Sequence, residues 1–422
     1  MNLTASVLTA FAPAAAHSKT IYDILGREPV HPFPARMAPG IALDVLAEAG
    51  KSIRVLDPMM GSGTVLALAR AQGHRAVGVD IDPLAVLLTR VWTTTVNQRE
   101  VKDAAVAVLD KARTSFRTIH ARDAYPLGAD EETRAFVRFW FDSYSRRQLA
   151  ALSRAVQVTT ATSVRDALWC AFSRLIITKQ AGASLAMDLS HSRPHKAFAV
   201  APVKPFNKFL IAVDRVVDNC LDIGQTKRGP SVSAQEGDAR ALPIANGSID
   251  LVLTSPPYLN AIDYMRCSKF SLIWMGHTIA TLRQLRSQSV GAEAASGFPM
   301  SKSIQEVIAT LRLTPALAPR NQRILTRYIG DMEAAVGEAS RVLAKGGKAV
   351  YVVGENTVRG TYIRNSDLVT EVARRCGLQF LDQKIRELPA NRRYLPPPTN
   401  NTAAAGLDGR MRREVVLSFQ KG

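Results

Sequence analysis

A chain of 422 residues, 47% of them hydrophobic, can bury a substantial core, which excludes global disorder. The 54 Lys and Arg outnumber the 36 Asp and Glu, and the formal charge of +18 suits a polyanionic partner, nucleic acid above all, and argues against a protein substrate. Cys170, Cys220, Cys267 and Cys376 are far apart and form no Cys-x-x-Cys pair, so reduced thiols in the cytoplasm are expected rather than a disulfide framework or a zinc site.

Residues 1–29 read as an N-terminal tail whose first 18 residues are uncharged and lack the basic start of a secretory signal. No run of 18 apolar residues follows, so no membrane span is expected. Helical periodicity over 41–49 ends at Gly50. "IRVLD" (53–57) reads as a strand, "PMMGSGT" as a turn, 65–74 as a helix and "RAVGVDID" (75–82) as a second strand. Strand, glycine turn, helix and strand within about thirty residues make a βαβ unit, hence a parallel sheet.

Beyond residue 95 the rhythm changes. Four amphipathic stretches, 99–116, 143–158, 162–180 and 206–224, carry hardly a strand between them, and predict a helical insertion over 96–230 with a loop at 190–208. Strand character resumes over 237–258. A long helical stretch ends near 348, a strand follows at 349–355 and a helix at 367–377. Two strands, 378–388 and 413–420, joined by a Pro- and Asn-rich loop, predict an antiparallel hairpin at one sheet edge. The catalytic fold is thus expected in two parts, 30–95 and 231–422.

In an open parallel sheet the ligand lies beyond the carboxyl ends of the strands. Strand one ends in Asp57 and Pro58, followed by Gly61, Ser62, Gly63 and Thr64, whose glycines let the backbone approach a ligand closely. Strand two ends at Asp80, where a carboxylate can accept from both hydroxyls of a ribose. Asp238 and then "TSPPY" (254–258) follow later strands. Neither Pro256 nor Pro257 has an N–H, so this segment cannot continue a ladder. The glycine loop lacks G-x-G-x-x-G and G-K-[ST], which disfavours dinucleotides and excludes a Walker loop. Its acidic neighbours would repel a pyrophosphate and suit a cation, as in S-adenosylmethionine with its sulfonium, ammonium and ribose.

Here the chain resembles the amino-group DNA methyltransferases, which methylate N4 of cytosine or N6 of adenine. The resemblance rests on "HPFPARM" (31–37), "DPMMGSGT" (57–64), "GVDIDP" (78–83), "GDARALP" (237–243) and "TSPPY" (254–258). It implies a Rossmann-like class I methyltransferase fold, an α/β architecture with a mostly parallel seven-stranded sheet, a C-terminal antiparallel hairpin and S-adenosylmethionine as cofactor. By the same resemblance Asp57, Pro58 and Gly61 to Thr64 surround the methionine part, Asp80 binds the ribose and Asp238 the adenine amino group. Phe33, Pro34 and Arg36 would close the pocket; Asp82 is a second candidate for the ribose but is expected to cap the next helix. No metal is implied. None of the four cysteines follows a proline, which disfavours C5-cytosine chemistry with its cysteine nucleophile.

The catalytic set is then Ser255, Pro256, Pro257 and Tyr258. The Ser255 side chain and the Pro256 carbonyl would accept both N–H bonds of the target amine, and Tyr258 would stack on a base flipped out of double-stranded DNA. Ser-Pro-Pro-Tyr goes with cytosine N4 and the Asp or Asn forms with adenine N6, yet serine can accept from either amine, and an RNA base stays open as a rival substrate. A cognate restriction endonuclease is a partner that the resemblance admits. Sequence recognition is expected from the insertion, through Arg146, Arg147, Arg154, Arg174, Lys179, Lys204 and Lys208, helped by 282–294, 319–327 and the loop 391–401. Tyr264 and Arg266 are further candidates for the substrate face.

Overall fold

Seven strands form the main sheet: β1 (Arg54–Asp57), β2 (Arg75–Asp80), β3 (Val232–Glu236), β4 (Ile249–Thr254), β5 (Leu343–Gly354), β6 (Leu378–Glu387) and β7 (Arg413–Lys421). Their order is β6-β7-β5-β4-β1-β2-β3, with β7 antiparallel to both neighbours and the other pairs parallel. The expected parallel sheet with an antiparallel hairpin at one edge is therefore the observed one. The structure is a computed structural model, and it describes residues 20–33, 37–50, 52–190, 194–224, 229–259, 265–292, 300–310, 319–358, 361–387 and 413–422. Pro34, Arg36, Tyr264, most of the N-terminal tail and the loop 391–401 lie outside the described residues.

The central strands are buried on both faces, because successive side chains point opposite ways and both sides are covered. Leu56, Val252, Tyr351, Val353 and Leu417 pack against Tyr328, Met332, Val336 and Val372 of the helices Pro319–Val342 and Asn365–Arg375. Val55, Leu251, Leu253 and Val350 belong to the other core, which also holds Leu109, Leu149, Leu152, Phe172 and Phe209. Those last five come from the insertion helices Gln98–Phe116, Ser143–Gln157, Thr162–Ile176 and Pro205–Val217. The insertion thus shares its hydrophobic core with one face of the sheet.

Several elements differ from expectation, three of them as follows. Strand β3 precedes Gly237, where strand character was expected to resume; it is an edge strand with only Ala234 buried, so its sequence "VSAQE" carries no apolar run. The helix Glu131–Trp140 was not foreseen, although Asp130 caps it by accepting from Thr133 N at 2.8 Å. The helix Lys302–Thr310 was also missed.

Candidate active site

Between β1 and β4 the winding of the sheet reverses, since β1 leads on to β2 on one side and β4 to β5 on the other. Such a switch point opens a crevice at the carboxyl ends of the two strands. Asp57 ends β1 and Thr254 ends β4, and the Thr254 hydroxyl donates to Asp57 Oδ1 at 2.7 Å. The expected cofactor carboxylate is thereby tied to the residue preceding Ser255.

The glycine loop is fixed from three directions. Met60 N donates to Val79 O at 3.1 Å, Gly61 N to Asp80 Oδ2 at 2.8 Å, and Thr89 Oγ1 to Gly61 O at 3.1 Å. Gly63 adopts φ +81°, and a Cβ there would stand 2.6 Å from the Thr89 side chain. Both the conformation and the space therefore require glycine. Ser62 and Thr64 are buried beside it, and Thr64 opens the helix Thr64–Ala71.

Asp80 also accepts from Asp82 N at 2.9 Å. Asp82 caps the helix Pro83–Thr93, as expected, accepting from Leu84 N at 2.9 Å and from Ser268 Oγ at 2.5 Å. Burial pushes Asp57 up to about 7 against the opposing bonds from Thr254 and Met59, and Asp80 adds to the rise. Burial likewise raises Asp80, and it pushes Asp82 up to about 7. Among the described residues no basic side chain offsets these three acids. A cluster of three carboxyl groups, Asp57 and Asp82 buried and Asp80 half-buried, with no cation of its own fits a ligand that brings positive charge and ribose hydroxyls, which is the chemistry of S-adenosylmethionine.

Asp238 differs from these three. Its carboxylate takes Arg240 Nε at 3.0 and 3.1 Å and Arg240 NH2 at 2.7 Å, while Arg240 NH1 reaches the buried Asp331 at 2.5 Å. Burial would raise Asp238, but the Arg240 bonds hold it below the usual carboxylate range. Phe33 is buried, and Arg266 is half-buried at the start of the helix that follows the Ser-Pro-Pro-Tyr segment.

In that segment the Ser255 hydroxyl donates to Val352 O at 3.0 Å, and Tyr258 OH lies 3.3 Å from Ser255 Oγ. Tyr328 OH donates to Pro257 O at 3.0 Å. Pro256 is buried, while Ser255, Pro257 and Tyr258 are half-buried. Thr89, Thr254, Arg240, Tyr328 and Asp331 were not among the residues singled out from sequence; each acts through a partner distant along the chain.

The basic side chains of the insertion also bind within the fold. Arg146 donates to Ala121 O at 2.9 Å and lies over the Tyr125 ring, and Arg147 donates to Ile119 O and Phe116 O. Arg154 is bound to Asp123 O, Arg174 to Val30 O, and Lys204 to Ala201 O. Each of these five side chains, expected to face a nucleic acid, gives at least one donor to a carbonyl at a helix end or in a loop. Lys179 and Lys208 are exposed.

No protein-family model matches the chain. The type II methyltransferase M.MvaI of Kocuria varians is 22% identical over 419 aligned residues, covering 92% of this chain and 90% of that protein. The type II methyltransferase M.BsoBI of Geobacillus stearothermophilus is 24% identical over 259 residues, 56% of this chain and half of its own length. The crystal structure of a TehB-like SAM-dependent methyltransferase from Corynebacterium glutamicum aligns over 90% of this chain and 88% of its own, with 11% identity and a TM-score of 0.28. The similarity to a type II methyltransferase thus runs along nine-tenths of the chain, on a sheet whose order reverses at the site just described.

Proposed function

We propose that the protein methylates the exocyclic amine of a base extruded from double-stranded DNA, cytosine N4 ahead of adenine N6. The observation that carries this reading is the hydrogen-bond state of Ser255. Its proton is directed at Val352 O, which leaves the oxygen lone pairs as acceptors. An exocyclic amine is a poor nucleophile because its lone pair is delocalised into the ring. Two acceptors, Ser255 Oγ and the Pro256 carbonyl, draw its N–H bonds out of the ring plane and stabilise the positive charge that grows on nitrogen during transfer. Tyr258 offers a π face to the extruded base. S-adenosylmethionine, when bound, supplies the electrophilic methyl. Asp57, Pro58 and the loop Gly61–Thr64 hold its methionine part, Asp80 its ribose, and Asp238 its adenine amino group, with Phe33, Pro34 and Arg36 closing the pocket.

The charge of +18 and the names of both relatives support DNA as substrate. Recognition then falls to Lys179, Lys208 and the segments after the catalytic loop rather than to the arginines of the insertion. The type II designation of both relatives supports a cognate restriction endonuclease as cellular partner. Four cysteines set far apart, with no Cys-x-x-Cys pair, support a reducing compartment, the cytoplasm, and among the described residues no helix is long and apolar enough to cross a membrane.

Mapping modified bases in DNA and RNA from cells expressing the protein tests this directly. N4-methylcytosine at one short DNA sequence is expected. N6-methyladenine there would reassign the base, and a modified base confined to RNA would overturn the reading.

A further inference from the structure

Without an N–H on Pro256 or Pro257, the proline pair itself can be held only through its carbonyls. Thr254 is anchored on Asp57 and Ser255 on Val352 O. The third anchor is Tyr328, 71 residues further along the chain on the helix Pro319–Val342, donating to Pro257 O at 3.0 Å. Tyr328 is fully buried, and burial raises its pKa, so its phenol is a donor at any working pH. The ring is itself confined: a Cβ on Gly291 (φ +71°) would come within 2.9 Å of Tyr328 Cδ2. One turn later on the same helix, Asp331 accepts from Gly291 N at 3.0 Å and from Arg240 NH1 at 2.5 Å.

The geometry of a proline pair makes this contact consequential. The ring of Pro257 fixes its φ, so only its ψ remains free. A hydrogen bond to the Pro257 carbonyl sets that ψ, and with it the direction of the neighbouring Pro256 carbonyl relative to the core. We propose that Tyr328 is a positioning residue for methyl transfer, aiming the Pro256 carbonyl and the Ser255 hydroxyl at the target amine by holding the carbonyl of Pro257. The inference rests on that loop being the acceptor of the amine, as set out under the function above.

Tyr328→Phe removes one oxygen and keeps the ring. Single-turnover transfer at saturating cofactor and DNA should fall about tenfold or more, the size of one lost oriented hydrogen bond. Dissociation constants for cofactor and for DNA should stay within about twofold, a split that a merely structural loss would not give. Gly291→Ala displaces the same ring by another route and should give the same split; if Tyr328→Phe does not fold, this variant decides. An unchanged single-turnover rate for folded protein overturns the proposal. Ser255→Ala separates the two ideas. If it keeps full transfer, the loop assignment itself falls; if it loses transfer while Tyr328→Phe keeps it, only the brace falls.

Discussion

Raising the pH through neutrality should tighten S-adenosylmethionine binding through Asp57. Burial holds this acid near 7, and the groups around it are Thr254, the Met59 N–H and the neighbouring carboxylate of Asp80, none of which brings positive charge. A cationic ligand favours the ionised form, so binding must first remove the proton from whatever fraction still carries it. With an apo value of about 7, some nine-tenths of the molecules are protonated near pH 6 and about one-tenth near pH 8. The apparent affinity should therefore rise about tenfold over that range, ~1.4 kcal/mol. The ligand's own ammonium loses its proton near the top of the range, so the measurement is the difference between the native protein and Asp57→Asn at each pH. Isothermal titration calorimetry in two buffers of unlike ionisation enthalpy should also register proton release near pH 7 in the native protein only. The same shift has a stability counterpart. Because the folded value is raised, the contribution of Asp57 is fully present below the unfolded value near 4 and is lost as pH rises through about 7. Thermal denaturation of the cofactor-free protein should show this decline, and Asp57→Asn should flatten it. Equal pH dependence in both proteins would refute the placement of the cofactor's cationic part beside Asp57.

Asp80→Ala should weaken cofactor binding by more than about tenfold, since it removes the ribose acceptor and frees Gly61 N and Asp82 N together; unchanged affinity would sink the ribose assignment. Gly63→Ala should cost about 1–3 kcal/mol in thermal denaturation, because the new Cβ meets Thr89 at 2.6 Å in a left-handed conformation. A melting temperature equal to that of the native protein would show that the loop relaxes freely. Arg146→Ala should lower stability by about 2 kcal/mol or more through the lost carbonyl bond and ring stacking while leaving the salt dependence of DNA binding unchanged. Lys208→Gln should do the reverse, reducing the slope of log affinity against log salt by about 1 at unchanged stability.

What could be read from the sequence is what is local along it. The glycine loop, Asp57 and Asp80 announce themselves because a strand, its last carboxylate and the following turn are contiguous. The Asp82 cap is legible for the same reason, being followed at once by Pro83 at the first helical position. Strand β3 was not, because an exposed edge strand needs apolar residues on one face only, and here only Ala234 is buried. The partners of the insertion arginines could not be read either, because composition counts charges without showing what they bind. A guanidinium carries five donors, and at Arg146, Arg147, Arg154 and Arg174 a carbonyl within the fold takes at least one of them.

The Ser-Pro-Pro-Tyr segment shows where local reading stops. An aspartate or asparagine oxygen at the first position is an acceptor by its nature, whereas a serine hydroxyl can donate or accept. Nothing within "TSPPY" decides between the two. The choice is made by Val352 O on the adjacent strand, 97 residues away, which takes the proton and leaves the oxygen as an acceptor. The loop's orientation is set from equally far off, by Asp57 behind Thr254 and by Tyr328 at Pro257, across separations of 197 and 71 residues. Two adjacent prolines make such remote anchors necessary, since they deny the loop the N–H groups with which a strand end would hold itself. On the proposed reading the motif carries the reactive groups, and the sheet and one buried helix turn carry their polarity and aim.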